Sequence, residues 1–115
     1  MQRKDIVRKP LLKKEIKNPF SNINVSNIKL FVTDIDGTLT NGNLYIGSGS
    51  QIIKQFNVHD GYAGKLLMEK GISVAVLSGR KDGSSVARVK DLGWEVVGLG
   101  VQDKLKVLSK YLKMK

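Results

Sequence analysis

The stretch Asp34-Ile35-Asp36-Gly37-Thr38-Leu39-Thr40 sets two carboxylates two residues apart in a glycine-loosened segment. Carboxylates that converge on one small site repel unless a cation or a shared proton relieves them. With a hard cation present, one ionised carboxylate can be a nucleophile while its neighbour shuttles protons. An all-oxygen site of this kind suits magnesium shared with a substrate phosphate. A calcium loop fits badly, because Leu39 stands at the sixth position, where that motif needs glycine. Taken alone, the spacing also allows a plain turn rich in Asp and Gly. Two other segments point toward phosphate. Ser78-Gly79-Arg80 offers a hydroxyl and an amide-rich turn, and Lys104 offers an ammonium at a helix start, where phosphoryl charge would develop. Separately, Ser78 reads as a loop serine and Lys104 as a surface lysine. Their conjunction carries the weight, since Asp, Ser and Lys fall in that order at three successive strand ends.

Those strand ends follow from the pattern of the chain. Residues 28–33 (IKLFVT) form a short apolar run suited to a strand that stops at Asp34. Residues 43–46 and 51–56 read as arms of a hairpin around Gly47-Ser48-Gly49-Ser50. Asp60 is a candidate N-cap for a helix over 61–70, with Leu66, Leu67 and Tyr62 facing inward and Gly71 ending it. Residues 72–77 (ISVAVL) are continuously apolar, as in a strand covered on both faces of a parallel sheet. A helix over 84–92 closed by Gly93, a strand over 94–97 and a lysine-rich helix capped by Asp103 complete the order. Alternating strands and helices imply an α/β three-layer sandwich with a parallel, Rossmann-like sheet and right-handed crossovers. In such sheets the chemistry collects at the carboxyl ends of the strands.

Composition narrows the function classes. The 115 residues are 41% hydrophobic and 26% charged, as in one ordinary globular domain. The lack of cysteine removes disulfide scaffolds, thiolate zinc sites and cysteine nucleophiles. No apolar stretch approaches the roughly 20 residues that cross a bilayer, no signal-like core follows the basic start, and the expected compartment is the cytoplasm. The net charge of +10 is unevenly spread, for residues 28–103 hold eight basic and eight acidic side chains. The excess lies in residues 1–27, read as a basic, flexible tail, and in the last helix. That distribution argues against a nucleic-acid partner, whose basic stripe belongs on the folded body. His59, the one histidine, reads as an exposed residue beside a turn.

The segments DIDGTLTNGNLYIG, KQFNVHDGYAGKLLMEKGI, VLSGRK and GVQDKL resemble the haloacid dehalogenase (HAD) superfamily of phosphotransferases. Within it, the chain is similar to the small capless phosphatases of the 3-deoxy-D-manno-octulosonate 8-phosphate (KDO 8-phosphate) type, over about 80 of its residues. The resemblance implies that Asp34 is a nucleophile forming an aspartyl-phosphate. It makes Asp36 the acid/base that protonates the leaving sugar alcohol and then activates water. Magnesium would be ligated by the Asp34 carboxylate and the Asp36 carbonyl, and Ser78 and Lys104 would hold the transferring phosphoryl group. Asp60, Gly61 and Arg80 match positions near the substrate pocket, with Arg80 placed to meet a sugar carboxylate. The small-molecule partner implied is a sugar phosphate, and the hairpin would help build a homotetramer. The same resemblance leaves open a nonulosonate 9-phosphate substrate, or the phosphatase-like module of a CMP-sugar synthetase.

One departure bears on activity. The family continues into a strand followed by a G-D-D-x-x-D motif, whose acids complete the magnesium site. In this sequence no acid follows Asp103. The expectation is therefore a domain over 28–115 whose sheet is incomplete at the C-terminal end. A catalytically inactive fragment with only an oligomerisation or binding role is the second reading.

Overall fold

The computed structural model describes residues 24–115. Of the stretch read as a tail, residues 1–23 lie outside the described residues. Asn24 instead caps a 3-10 turn, Val25–Asn27, through its side chain.

Three parallel strands form the sheet. They are β1 (Leu30–Thr33), β4 (Ser73–Ser78) and β5 (Glu95–Leu99), in the order β1-β4-β5. A two-stranded antiparallel hairpin, β2 (Tyr45–Ile46) and β3 (Ile52–Ile53), follows β1. The helices are α1 (Val58–Glu69), α2 (Gly83–Leu92) and α3 (Lys104–Lys113). The α/β architecture and parallel sheet expected from the sequence are present, and β1 pairs on one side only among the described residues.

β4 is the middle strand, which explains the apolar run from Val74 to Leu77. Residues 74 to 78 are all buried. Val74 and Val76 belong to a core that includes Ile35, Val89 of α2 and Trp94, with Leu67 and Met68 of α1 packed against it. Leu77, on the alternate face of the pleat, approaches Gly98 together with Val107 of α3. The register slips by one residue between Val76 and Leu77, so that Leu77 pairs with Gly98. A Cβ at Gly98 would stand 2.5 Å from Val101 and 3.3 Å from Val107, so glycine lets the loop and α3 close over the strand. At its far end α3 is tied to β5 by Tyr111, whose hydroxyl donates to Glu95 at 2.6 Å.

The first helix departs from expectation. It begins at Val58, three residues earlier than its reading from Asp60, because the Asn57 side chain accepts from the His59 amide and takes the capping position. Asp60 then lies in the first turn, where a carboxylate still favours the positive end of the helix. Tyr62 and Leu66, read as facing inward, are both exposed, because the face that packs on the core carries Leu67 and Met68. The hairpin arms are also shorter than read, two residues each. Asp82, Asp103 and Gly93 cap α2, α3 and the end of α2, the last with a left-handed backbone.

Candidate active site

Ile35 builds the geometry of the first motif. Its side chain is fully buried, and its carbonyl accepts from the amides of Thr38, Leu39 and Thr40. The chain therefore coils tightly just after β1, with Asp34 and Asp36 on either side of a core anchor. Thr40, also buried, accepts from the amides of Gly37 and Gly42 through its hydroxyl. Both glycines have positive φ, 79° and 89°, which few other residues tolerate.

Ser78 ends β4, and Lys104 opens α3 after β5. The amide of Val101 donates to the Ser78 carbonyl at 3.0 Å and ties these two strand ends together. Asp34, Asp36, Ser78, Gly79, Arg80, Lys81 and Lys104 consequently line one open depression of about 560 Å³. Asp34 Oδ1 accepts from the Ile35 amide at 2.7 Å, and Oδ2 lies 3.4 Å from the Lys104 ammonium. Asp36 Oδ2 lies 3.4 Å from Arg80 Nε, and the Ser78 hydroxyl accepts from the Arg80 amide at 3.3 Å. The depression combines two carboxylates, one hydroxyl and three cationic side chains, a set able to take up a phosphate dianion beside a nucleophilic oxygen.

Among the described residues, no group of three or more metal-ligating side chains stands together. Magnesium does not need such a cage, since it keeps several waters and takes one or two carboxylates plus substrate phosphate. The Asp34 carboxylate fits that demand. It is partly exposed, and the Lys104 ammonium, the one cation paired with it among the described residues, is 3.4 Å away. Both Asp36 side-chain oxygens also lie near cations, Oδ1 by Lys54 and Oδ2 by Arg80.

Comparisons with known proteins place the chain in a family. No protein-family model matches the chain. A 3-deoxy-D-manno-octulosonate 8-phosphate phosphatase of Haemophilus influenzae is 44% identical over 80 residues, covering 70% of this chain and 44% of that protein. The solved 3-deoxy-D-manno-octulosonate 8-phosphate phosphatase of Moraxella catarrhalis, in complex with magnesium, phosphate and KDO, matches with a TM-score of 0.71 and 35% identity. That match covers 76% of this chain and 50% of the other. A structure from Legionella pneumophila, described as a putative HAD superfamily hydrolase, matches with a TM-score of 0.71 and 33% identity over 76% of this chain and 48% of that one. This chain belongs to the HAD superfamily. It spans about half the length of the curated relatives it matches.

Two residues carried over from the HAD pattern stand elsewhere. Asp60 lines a separate depression of about 480 Å³ with Thr38, Thr40, Asn41, Gln55 and Asn57. Gly61 lines neither hollow and serves packing, for a Cβ there would meet Leu92 at 2.8 Å and Arg88 at 2.9 Å.

Sequence reasoning missed Lys54 and Asp82. The Lys54 ammonium lies 2.7 Å from Asp36 Oδ1 and 2.6 Å from Asp82 Oδ2. These contacts are short ion pairs at angles off the hydrogen-bond line, and neither oxygen accepts an aligned bond among the described residues. Burial pushes the Asp82 carboxyl up, but Lys54 and the Ser85 amide and hydroxyl together outweigh it and hold the pKa below its ordinary value. A signal for Lys54 was present: Ile52, Lys54 and Phe56 alternate along one face of the second hairpin arm, so the lysine occupies an inward position.

Proposed function

We propose that this HAD chain hydrolyses the phosphomonoester of a 2-keto-3-deoxy sugar acid, 3-deoxy-D-manno-octulosonate 8-phosphate, with magnesium. The observation that carries the reading is the convergence of Asp34, Ser78 and Lys104, from three successive strand ends, on one depression. In this reading an Asp34 oxygen attacks phosphorus, and the bond to the sugar oxygen breaks. Asp36 gives its proton to the departing alkoxide. It then takes a proton from water, which attacks the aspartyl-phosphate and releases inorganic phosphate. Ser78 and Lys104 neutralise and orient the phosphoryl oxygens, and the Arg80 guanidinium recognises the sugar carboxylate. Magnesium, held by the Asp34 carboxylate and the Asp36 carbonyl, would offset the charge of nucleophile and phosphate so that they can approach. The relative of known structure that holds magnesium, phosphate and KDO supports this choice of metal and substrate.

The same reading assigns the chain to the cytoplasm and to a homo-oligomer, a tetramer, with a sugar phosphate as its small-molecule partner. No helix among the described residues is long and apolar enough to cross a membrane.

The test is release of inorganic phosphate from KDO 8-phosphate and from a nonulosonate 9-phosphate, with magnesium and with chelator. Magnesium-dependent turnover preferring the octulosonate is expected, with Asp34→Asn slower by at least about a thousandfold. Turnover no faster than Asp34→Asn on every substrate would overturn the phosphatase and leave a binding or oligomerisation role.

A further inference from the structure

Lys54 follows directly on β3, and its side chain has no solvent exposure. Its ammonium has three protein neighbours. Asp36 Oδ1 is 2.7 Å away, Asp82 Oδ2 is 2.6 Å away, and the Ser85 hydroxyl accepts at 2.8 Å. One of these contacts is an aligned hydrogen bond, to Ser85, and the two carboxylates act as close counter-charges. Sequestering a charge in this way is costly, and a buried ion cluster is weak grounds for claiming stability. What such a cluster does supply is a fixed orientation of the groups it joins. Asp82 is itself rigid, because its other oxygen caps α2 by accepting from the Ser85 amide at 2.8 Å. Ser85 is fully buried on the same helix turn. The ammonium is thus held from behind by α2 and cannot swing into the cleft to meet phosphate.

We propose that Lys54 is a positioning residue whose buried ammonium pins Asp36 Oδ1, so that Oδ2 is the oxygen presented to the cleft. The catalytic consequence rests on the phosphatase reading above. An acid that must protonate a leaving oxygen and then activate water needs one oxygen in a constant place through both steps. Free rotation of the Asp36 carboxylate would cost part of the roughly 10²–10⁴-fold that a positioned general acid contributes. Because the pin acts on Asp36 and leaves Ser78 and Lys104 untouched, its loss falls more on turnover than on substrate binding, to which Asp36 is linked through Arg80 Nε at 3.4 Å. A separate tie joins the same hairpin to α2, since the Ser84 hydroxyl donates to the Ile52 carbonyl at 2.6 Å. That tie allows pinning to be told apart from simple anchoring of the hairpin.

The experiment compares Lys54→Met, the double variant Lys54→Met/Asp82→Asn, and Ser84→Ala. Lys54→Met leaves the Asp82 carboxylate without its counter-ion and Asp36 with Arg80 alone, and can unfold the chain. The double variant removes one of those charges and keeps a capping side chain, which preserves the fold. In the double variant kcat should fall by about tenfold to a hundredfold with KM changed by less than about twofold, a share of the general-acid contribution. Ser84→Ala should keep both constants. Independently of turnover, the Lys54 ammonium should give a resolved proton–nitrogen NMR signal that moves in Asp36→Asn and stays in place in Ser84→Ala. Wild-type kcat in the folded double variant, or an ammonium signal indifferent to Asp36→Asn, would overturn the proposal. A wild-type chain without turnover whose signal still moves would defeat the phosphatase reading and leave the pin standing.

Discussion

Asp82 serves two partners with one carboxylate: Oδ1 caps α2 at the Ser85 amide, and Oδ2 faces the Lys54 ammonium. Its folded pKa lies below the ordinary value of 3.8 despite a burial effect of opposite sign. The unfolded chain therefore takes up this proton more readily than the folded one. The stabilisation from Asp82 is complete above 3.8 and disappears as the pH falls through the lower, folded value. Asp36, across the ammonium, is the other carboxylate facing Lys54. Asn caps a helix about as well as Asp, so Asp82→Asn removes the charge while sparing the cap. Urea unfolding from about pH 5 down to about pH 2 should show a shallower acid loss in Asp82→Asn than in wild type. Parallel curves for the two would mean that Lys54 does not hold the Asp82 carboxylate in solution.

At the scale of elements, α1 meets the start of β5 through one contact that only glycine permits. A Cβ on Gly64 would lie 2.3 Å from Trp94 Cζ2, on a ring that is 8% exposed. An alanine inside a helix ordinarily gains about 1 kcal/mol over glycine. Here the rigid indole cannot yield, and the helix must move. Gly64→Ala is expected to lose about 1–3 kcal/mol net of that gain. Trp94 is the single tryptophan, so its fluorescence reports both the denaturation midpoint and the local repacking, and a stabilised variant would contradict the packing. The elements that sequence reasoning located were those with a continuous or punctuated pattern. β4 announced itself by an apolar run, and α2 by the Gly93 that ends it, while its Asp82 cap went unread. The start of α1 was read from Asp60, a good cap in its own right, whereas Asn57 three residues earlier accepts from the His59 amide and sets the start. Asp34, Ser78 and Lys104 could be placed because strand order dictates where strand ends fall. Lys54 could not be placed, since its partner Ser85 is 31 residues away, and one inward lysine does not say which carboxylates it meets.

The whole molecule exposes more apolar surface on its hairpin than two short strands can shelter. Tyr45, Ile46 and Ile53 are 54%, 70% and 54% exposed, and an isolated two-stranded hairpin is marginal in water. Grouped exposed apolar residues mark contact surfaces, which supports the oligomer proposed above. Electrostatics sets the conditions under which it forms. A net charge of +10 makes like copies repel, and that repulsion is screened over about 10 Å at 0.1 M salt and about 3 Å at 1 M. Assembly through the apolar hairpin should therefore strengthen as salt rises, whereas assembly through the lysines of α3 onto acidic groups would weaken. Sedimentation velocity at low and high salt distinguishes the two by sign. We expect species larger than a monomer, favoured at high salt, and we expect Ile46→Lys to return the chain to monomers without shifting its unfolding midpoint. A wild-type monomer at every salt concentration would remove the oligomer. Dissociation on adding salt would move the contact from the hairpin to the charged helix.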